Sequence, residues 1–397
     1  MDLDAFRELL TPRGHRALAD AGDAVAAGLD GLAAVTRLRR SHDAALAAAA
    51  LTQARLRARG AAKFGADAAR MYFTPDGLEQ ATRAEVAAHR ARRFPPGTRV
   101  ADACCGVGGD LLALARGGCA VDAVDLDPLT AEVARANVRE FGLDGQVTVT
   151  VGDAAEVVPE RYDALFADPA RRSTGRRVFD PMAYSPPWPA VLELVARAPA
   201  ACVKAAPGIP HELAPPGAEA EWVSFRGEVK EAVLWTGPLA TLAGDAGGPG
   251  RRATLLPSGL TLTADPSLGP APHGPVGRYL YEPDGAAIRA HLVAEVAAAV
   301  GGRLLDPRIA YITGDDPDAT TPWASRYEVR DVLPFSLKRL RGALRERRIG
   351  TVTLKKRGSA VDIERLRTDL RLSGDESAVV VLTRIGERPY ALLCLPC

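Results

Sequence analysis

Four aspartates carry the chemistry that can be read from this chain: Asp102, Asp125, Asp153 and Asp168. Each closes a short run with β character, in TRVAD, AVDAVD, VTVTVGD and YDALFAD. The first is followed by Ala103-Cys104-Cys105-Gly106-Val107-Gly108-Gly109-Asp110, a glycine-rich turn before a helix that opens at Leu111. Glycine lets a backbone approach a ligand without a Cβ clash, and a helix N-terminus faces it with unpaired N–H groups. The spacing is GxGG, and Leu111 stands at the third glycine position of a dinucleotide fingerprint, so a nicotinamide enzyme is disfavoured. One strand-end Asp could equally cap the next helix. Three of them, at successive strand ends beside such a turn, form a coherent site at the switch point of a sheet.

Asp125 is placed for both hydroxyls of a ribose, and Asp153 for the amino group of an adenine. Asp102 lies near an amino-acid end, where an ammonium needs a partner. Together they point to S-adenosylmethionine, with Cys104, Gly106, Gly108, Gly109 and Leu126 completing the expected cofactor set. Asp168 and Pro169, at the fourth strand end, are the expected reacting edge, together with Arg171. A carboxylate that accepts a hydrogen bond from a base amine turns the nitrogen lone pair towards an electrophilic methyl. Arg171, Arg172, Arg176 and Arg177 read as a phosphate clamp or as a solvated basic loop. Lys204 either reaches this pocket as a substrate contact or ends its strand in solvent. Ser185-Pro186-Pro187-Trp188 reads as base contact or, more commonly, as a helix opening, and Cys202 as a nucleophile or a small buried hydrophobe.

These residues need a scaffold, and the rest of the chain describes one. With 397 residues, 47% hydrophobic and 25% charged, two or three globular domains are expected. No apolar run approaches a membrane span, and the acidic start MDLDAFRELL lacks a signal-peptide profile, so a cytoplasmic protein without membrane partner is expected. The net charge of +1 says little about partners, although only six of the 50 basic residues are Lys. Cys394 and Cys397 have CxxC spacing with no second pair, so no metal is expected.

Residues 1–94 read as a helical domain, with Thr11-Pro12 and Thr74-Pro75 as helix starts. One helix is expected from Pro75 to Phe94, its last turn dense in cations (Arg90, Arg92, Arg93) that suit a helix C-terminus. Strand–helix alternation from Arg99 predicts a doubly wound α/β core over 95–265. It closes with an antiparallel hairpin (EWVSFRGE, EAVLWTG) and a further small hairpin around Pro257-Ser258-Gly259. Residues 266–277 read as linker, and 278–397 as a compact α+β domain with a helix over 284–299. Lys338, Arg339, Arg341, Arg345, Arg347, Arg348, Lys355, Lys356 and Arg357 make that domain locally basic, as a solvated face or as an RNA backbone track.

DACCGVGGDLLALA, AVDAVDLDPLTAEVARANVREFG and YDALFADPARR resemble a class I S-adenosylmethionine-dependent methyltransferase. More closely, they resemble the branch that includes the RNA cap guanine-N2 (trimethylguanosine synthase-like) enzymes, over about residues 97–240. Ala170 stands where that branch has a second Pro, and Arg171 where it has a stacking aromatic. RYLYEPDGAAIRAHLV, PWASRYEVRDVLPF and TVTLKKRG are similar to the THUMP-like domain that follows such a core in a bacterial family. KFGADAARMYFTPDGLEQAT resembles the N-terminal part of the same family. The resemblance implies a Rossmann-like core between a helical domain and an α+β THUMP-like domain. It also implies S-adenosylmethionine as cofactor and RNA as partner, with Arg172, Lys204, Lys355, Lys356 and Arg357 as substrate contacts. The expected reaction is methylation of a base amine in a structured RNA. A small-molecule methyltransferase and a non-catalytic RNA-binding protein are the alternatives.

Overall fold

A computed structural model describes residues 1–170, 180–244 and 248–397, with the backbone alone at 172–173 and 176–177. The chain forms two compact units, Met1–Ala220 with Glu231–Gly250, and Glu221–Lys230 with Arg251–Cys397.

The first unit opens with helices α1 (Leu3–Leu9), α2 (Pro12–Ala26), α3 (Gly31–Leu38) and α4 (Ala44–Phe64). Asp2, Thr11, Asp30 and Asp43 each cap one of them through a side-chain oxygen, which satisfies an N–H left free by the first turn. Thr74 caps α5 (Pro75–Gln80) in the same way, with Pro at the first position. The single helix expected from Pro75 to Phe94 is instead two, α5 and α6 (Ala84–Ala91). The cause is Lys63, whose Nζ donates to the carbonyls of Leu78, Glu79 and Ala81 at 2.8, 2.7 and 2.8 Å. An ammonium on those oxygens ends α5 and leaves residues 81–83 as a connector.

Strands β1 (Arg99–Asp102), β2 (Ala120–Asp125), β3 (Val147–Val151), β4 (Ala164–Ala167) and β5 (Ala201–Ala205) follow. They alternate with α7 (Gly109–Arg116), α8 (Pro128–Glu140) and α9 (Trp188–Arg197). Next come β6 (Glu219–Phe225) and β7 (Glu228–Thr236). From β3 the sheet order runs β3-β2-β1-β4-β5-β7 and continues into β6, and of these β3 to β5 are parallel while β7 runs antiparallel to β5. The parallel strands end at one edge, which gathers the aspartates that lie far apart in sequence.

The second unit contains the hairpin β8 (Gly250–Leu256) and β9 (Leu260–Thr263), paired from Arg252↔Thr263 to Leu255↔Leu260 as the Pro257-Ser258-Gly259 turn predicted. Its main sheet has seven strands: β10 (Tyr279–Pro283), β11 (Arg303–Asp306), β12 (Ile309–Gly314), β13 (Ala324–Pro334), β14 (Ile349–Lys356), β15 (Glu376–Ile385) and β16 (Arg388–Pro396). Their order is β11-β12-β10-β13-β16-β15-β14. The helix expected over 284–299 is broken into α10 (Gly285–Arg289) and α11 (Val293–Ala299), with His291 between them at φ +56°. Helices α12 (Leu337–Glu346) and α13 (Ile363–Leu370) bury Leu340, Leu344, Leu366 and Leu370 in a cluster with Val380, Leu382 and Leu393. Among the described residues, no helix is long and apolar enough to cross a membrane.

Candidate active site

A cavity of about 820 Å³ opens at the carboxyl ends of the parallel strands. The glycine turn, Asp125, Leu126 and Asp153 form one side of its lining, and Asp168, Pro169 and Ala170 another. Residues of the segment 74–82, from α5 and the connector after it, line it as well. Seven carboxylates line it (Asp76, Glu79, Asp110, Asp125, Asp127, Asp153 and Asp168), and among the described lining residues there is no Lys, Arg or His.

On the first side, Asp125 accepts the N–H of Gly106 and that of Asp127, each at 3.0 Å, so it holds the glycine turn against the end of β2. Burial raises its pKa and the two N–H bonds pull it back. Asp153 accepts from Ala155 at 2.9 Å, and Leu126 is 68% exposed where it borders the cavity. Cys104, Gly106 and Gly109 line the cavity. Gly106 has φ +55°, a left-handed conformation that favours glycine, and a Cβ there would meet nothing within 4 Å. Gly108, at φ +90°, lies behind the wall against Leu111 and Ala134 and caps α7. Asp102 is fully buried: one oxygen accepts from Cys104 N at 3.2 Å, and Oδ2 has no partner among the described residues. Burial, then the nearby Asp110, pushes its carboxyl well above the usual range.

On the other side, Asp168 is tied to Lys204 by an ion pair. Lys204 does not stand at the cavity wall: it is 5% exposed and also bonds Thr82 Oγ1 at 2.6 Å and Asp110 at 3.2 Å. Asp110 in turn accepts from Thr82 at 3.0 Å and pairs with Arg90, which also pairs with Glu231 of β7. Burial disfavours the charge on Lys204, but the carboxylates of Asp110 and Asp168 outweigh it and raise its pKa. Burial would raise Asp110, yet Arg90 and Lys204 hold it down to about 2. Glu231, with Arg90 as its ion-pair partner, is pushed up by its burial.

Ser185, Pro186 and Pro187 also line the cavity, because Ser185 pairs with Ala170 through two backbone hydrogen bonds of 2.8 and 3.0 Å. Trp188 is buried at the start of α9 and donates to Leu213 O at 3.2 Å. Cys202 is a fully buried strand residue whose thiol pKa is raised by desolvation, which is the small-hydrophobe reading. Arg171 lies outside the described residues, as does the side chain of Arg172. Lys355 pairs with Glu282 at 2.5 Å, Lys356 donates to Val361 O at 3.1 Å, and Arg357 sits 5.5 Å from the Tyr311 ring.

Sequence reasoning did not find Thr82, Arg90 and Glu231 as neighbours of this site, and it found Asp110 only as the end of the glycine turn. Arg90 was expected to serve a helix end; it is instead 2% exposed, with partners 20 and 141 residues away. Its one signal was a cation at a position that also suits the apolar face of α6, beside Val86 and Ala87.

With this geometry in hand, comparison with known proteins becomes informative. Residues 97–191 match the family described as RNA cap guanine-N2 methyltransferase, 324–396 a THUMP domain-like family, and 2–60 a domain of unknown function. Two strains of Mycobacterium tuberculosis have a relative named an uncharacterized S-adenosylmethionine-dependent methyltransferase, 38% identical over 344 residues, covering 83% of this chain and 91% of the relative. The chain belongs to this S-adenosylmethionine-dependent methyltransferase family. A solved structure from Porphyromonas gingivalis W83, carrying a provisional methyltransferase name, shares the fold over 96% of this chain and 98% of its own, with TM-score 0.75 and 21% identity. The methyltransferase core is thus Rossmann-like, with a helical N-terminus and a THUMP-like C-terminal part, and its cofactor is S-adenosylmethionine. The residues present fit that cofactor. Among the described residues, a buried Asp102 oxygen lacks a donor, a left-handed glycine has open space before it, and the carboxylate-lined cavity suits a cation such as a sulfonium.

Proposed function

We propose that this methyltransferase modifies a base amine of a structured RNA. The observation that carries the reading is Asp168, fixed by Lys204 in the cavity that also holds Asp125 and Asp153. Asp125 would take the ribose hydroxyls, Asp153 the adenine amino group, and the glycine turn with Asp102 the amino-acid end. The cofactor, when bound, supplies a methyl group made electrophilic by its sulfonium. Asp168 accepts a hydrogen bond from the acceptor amine and orients its lone pair, and it can take the proton that N-methylation releases. Lys204 holds one carboxylate oxygen, and the other, with no hydrogen bond among the described residues, would face the amine. Residues of the 74–82 segment help to enclose the reacting atoms, which strengthens these contacts. The RNA assignment draws on the two family matches at 97–191 and 324–396.

A second reading, a small-molecule amine as acceptor, draws on the seven lining carboxylates with no Lys, Arg or His among the described lining residues, a wall unsuited to phosphate. One experiment separates the two. Purified protein and tritiated S-adenosylmethionine are offered total RNA and small-molecule extract from a deletion strain. Label in an RNA band that is absent with wild-type RNA is the expected result. Label confined to small molecules would replace the RNA reading with the second one.

A further inference from the structure

The cations first expected to track RNA in the second unit are engaged: Lys355 with Glu282, Lys356 with a carbonyl, and Arg357 over Tyr311. Arg347 and Arg348 are also engaged, with Asp331 at 2.6 Å and Asp375 at 2.7 Å. Helix α12 differs. Its Lys338, Arg339 and Arg345 are exposed and Arg341 half-buried, and none of the four side chains has a hydrogen bond or ion pair among the described residues. The carboxylate on this helix, Glu346, pairs with Arg347.

Spacing makes three of these a stripe. Leu340 and Leu344 are buried and fix which side of the helix faces the sheet. Lys338, Arg341 and Arg345, at i, i+3 and i+7, then share one outward side over about 10 Å of helix. Gly342 lies within this stripe, at the sixth of ten helical positions, and is exposed. A Cβ there would meet nothing within 4 Å, so no packing inside the chain calls for glycine. Glycine in a helix interior costs stability relative to alanine, and one use for it is close approach of a ligand to the backbone.

We propose that the Lys338–Arg341–Arg345 stripe, with Gly342 as its flat floor, is a docking surface for the phosphodiester backbone of RNA. The inference rests on the RNA reading above and names the surface that would hold that partner. Unpaired cations neutralise phosphates and release counterions, while the missing side chain lets the sugar–phosphate chain lie against the helix.

The test measures binding of a fluorescein-labelled RNA hairpin to the full-length protein over a potassium chloride series. Lys338→Gln, Arg341→Gln and Arg345→Gln together should reduce the slope of log affinity against log salt by about two to three. Gly342→Ala should bind several-fold more weakly while its thermal midpoint rises, a combination that a merely solvated helix face does not give. Wild-type slope and affinity in both variants would overturn the surface and leave the RNA reading standing. A wild-type protein that binds S-adenosylmethionine but not the hairpin would overturn both. Retention on phosphatidylserine vesicles, with no hairpin binding, would assign the stripe to a membrane surface instead.

Discussion

The cavity of the first unit and helix α12 of the second use charge in opposite ways. Around the cavity, five ionised groups (Glu231, Arg90, Asp110, Lys204 and Asp168) form one chain of ion pairs, and four of the five are almost fully buried. On α12, four cationic side chains stand without partners among the described residues, and three of them are exposed. A buried charge depends on its partner, because water cannot replace it; a hydrated charge depends on none. Charge therefore sets geometry in the first region and is left free for another molecule in the second.

The contrast can be broken most forcefully at Arg90. Arg90→Met leaves Asp110 and Glu231 buried with a lost partner and should destabilise the protein by about 3–5 kcal/mol. Any single Lys338, Arg341 or Arg345 replacement by Gln should stay within about 0.5 kcal/mol, as for other surface positions. Urea titration of each variant checks both, and similar values for the two regions would end the comparison. Next in size is Asp125→Ala. It removes the carboxylate that holds Gly106 and Asp127 and is placed for a ribose, so calorimetry should show S-adenosylmethionine binding about tenfold to a hundredfold weaker. Hairpin affinity should not move. A change in RNA binding equal to that in cofactor binding would mean that the residue acts through general unfolding.

Acid sharpens the contrast further. Asp110 is held at about 2 against an ordinary 3.8, so its contribution to stability is complete above pH 3.8 and is lost as pH falls through about 2. Asp102 and Glu231 have the opposite sign, since their raised values favour the folded state at low pH and disfavour it as pH rises. An Arg90→Met protein should lose much of the Asp110 transition, which stability curves against pH would register. A small effect of the stabilising sign is the gain from Gly342→Ala, about 0.5–1 kcal/mol in the absence of RNA. A loss of stability there would show that the glycine serves the fold.

What the sequence made legible was local. Thr11-Pro12 and Thr74-Pro75 announced helix starts because capping needs residues only three apart. The strand ends at Asp102 and Asp125 were visible because glycine and proline punctuate them. The two-part helix over 75–91 was not, because the ammonium that ends α5 comes from Lys63 on α4. The place of Ser185-Pro186-Pro187 at the cavity was equally hidden, since only the pairing of Ala170 with Ser185 brings it back. Neither sequence reading of Lys204, as a pocket contact or as a strand end in solvent, includes its partners Thr82 and Asp168, which lie 122 and 36 residues away. Long-range ion pairs leave no periodic trace, and this site is built from them.

The carboxylate-lined wall has a consequence for the timing of turnover. S-adenosylmethionine enters carrying a sulfonium, and once its methyl is gone the same ligand is a neutral thioether. Seven carboxylates, with no Lys, Arg or His among the described lining residues, attract the sulfonium of the first form and have no such charge to pull on in the second. Transfer thus removes the sulfonium share of that attraction, while the ribose, adenine and amino-acid groups keep theirs. The spent molecule is therefore held less tightly by the charge of the wall than the one that entered.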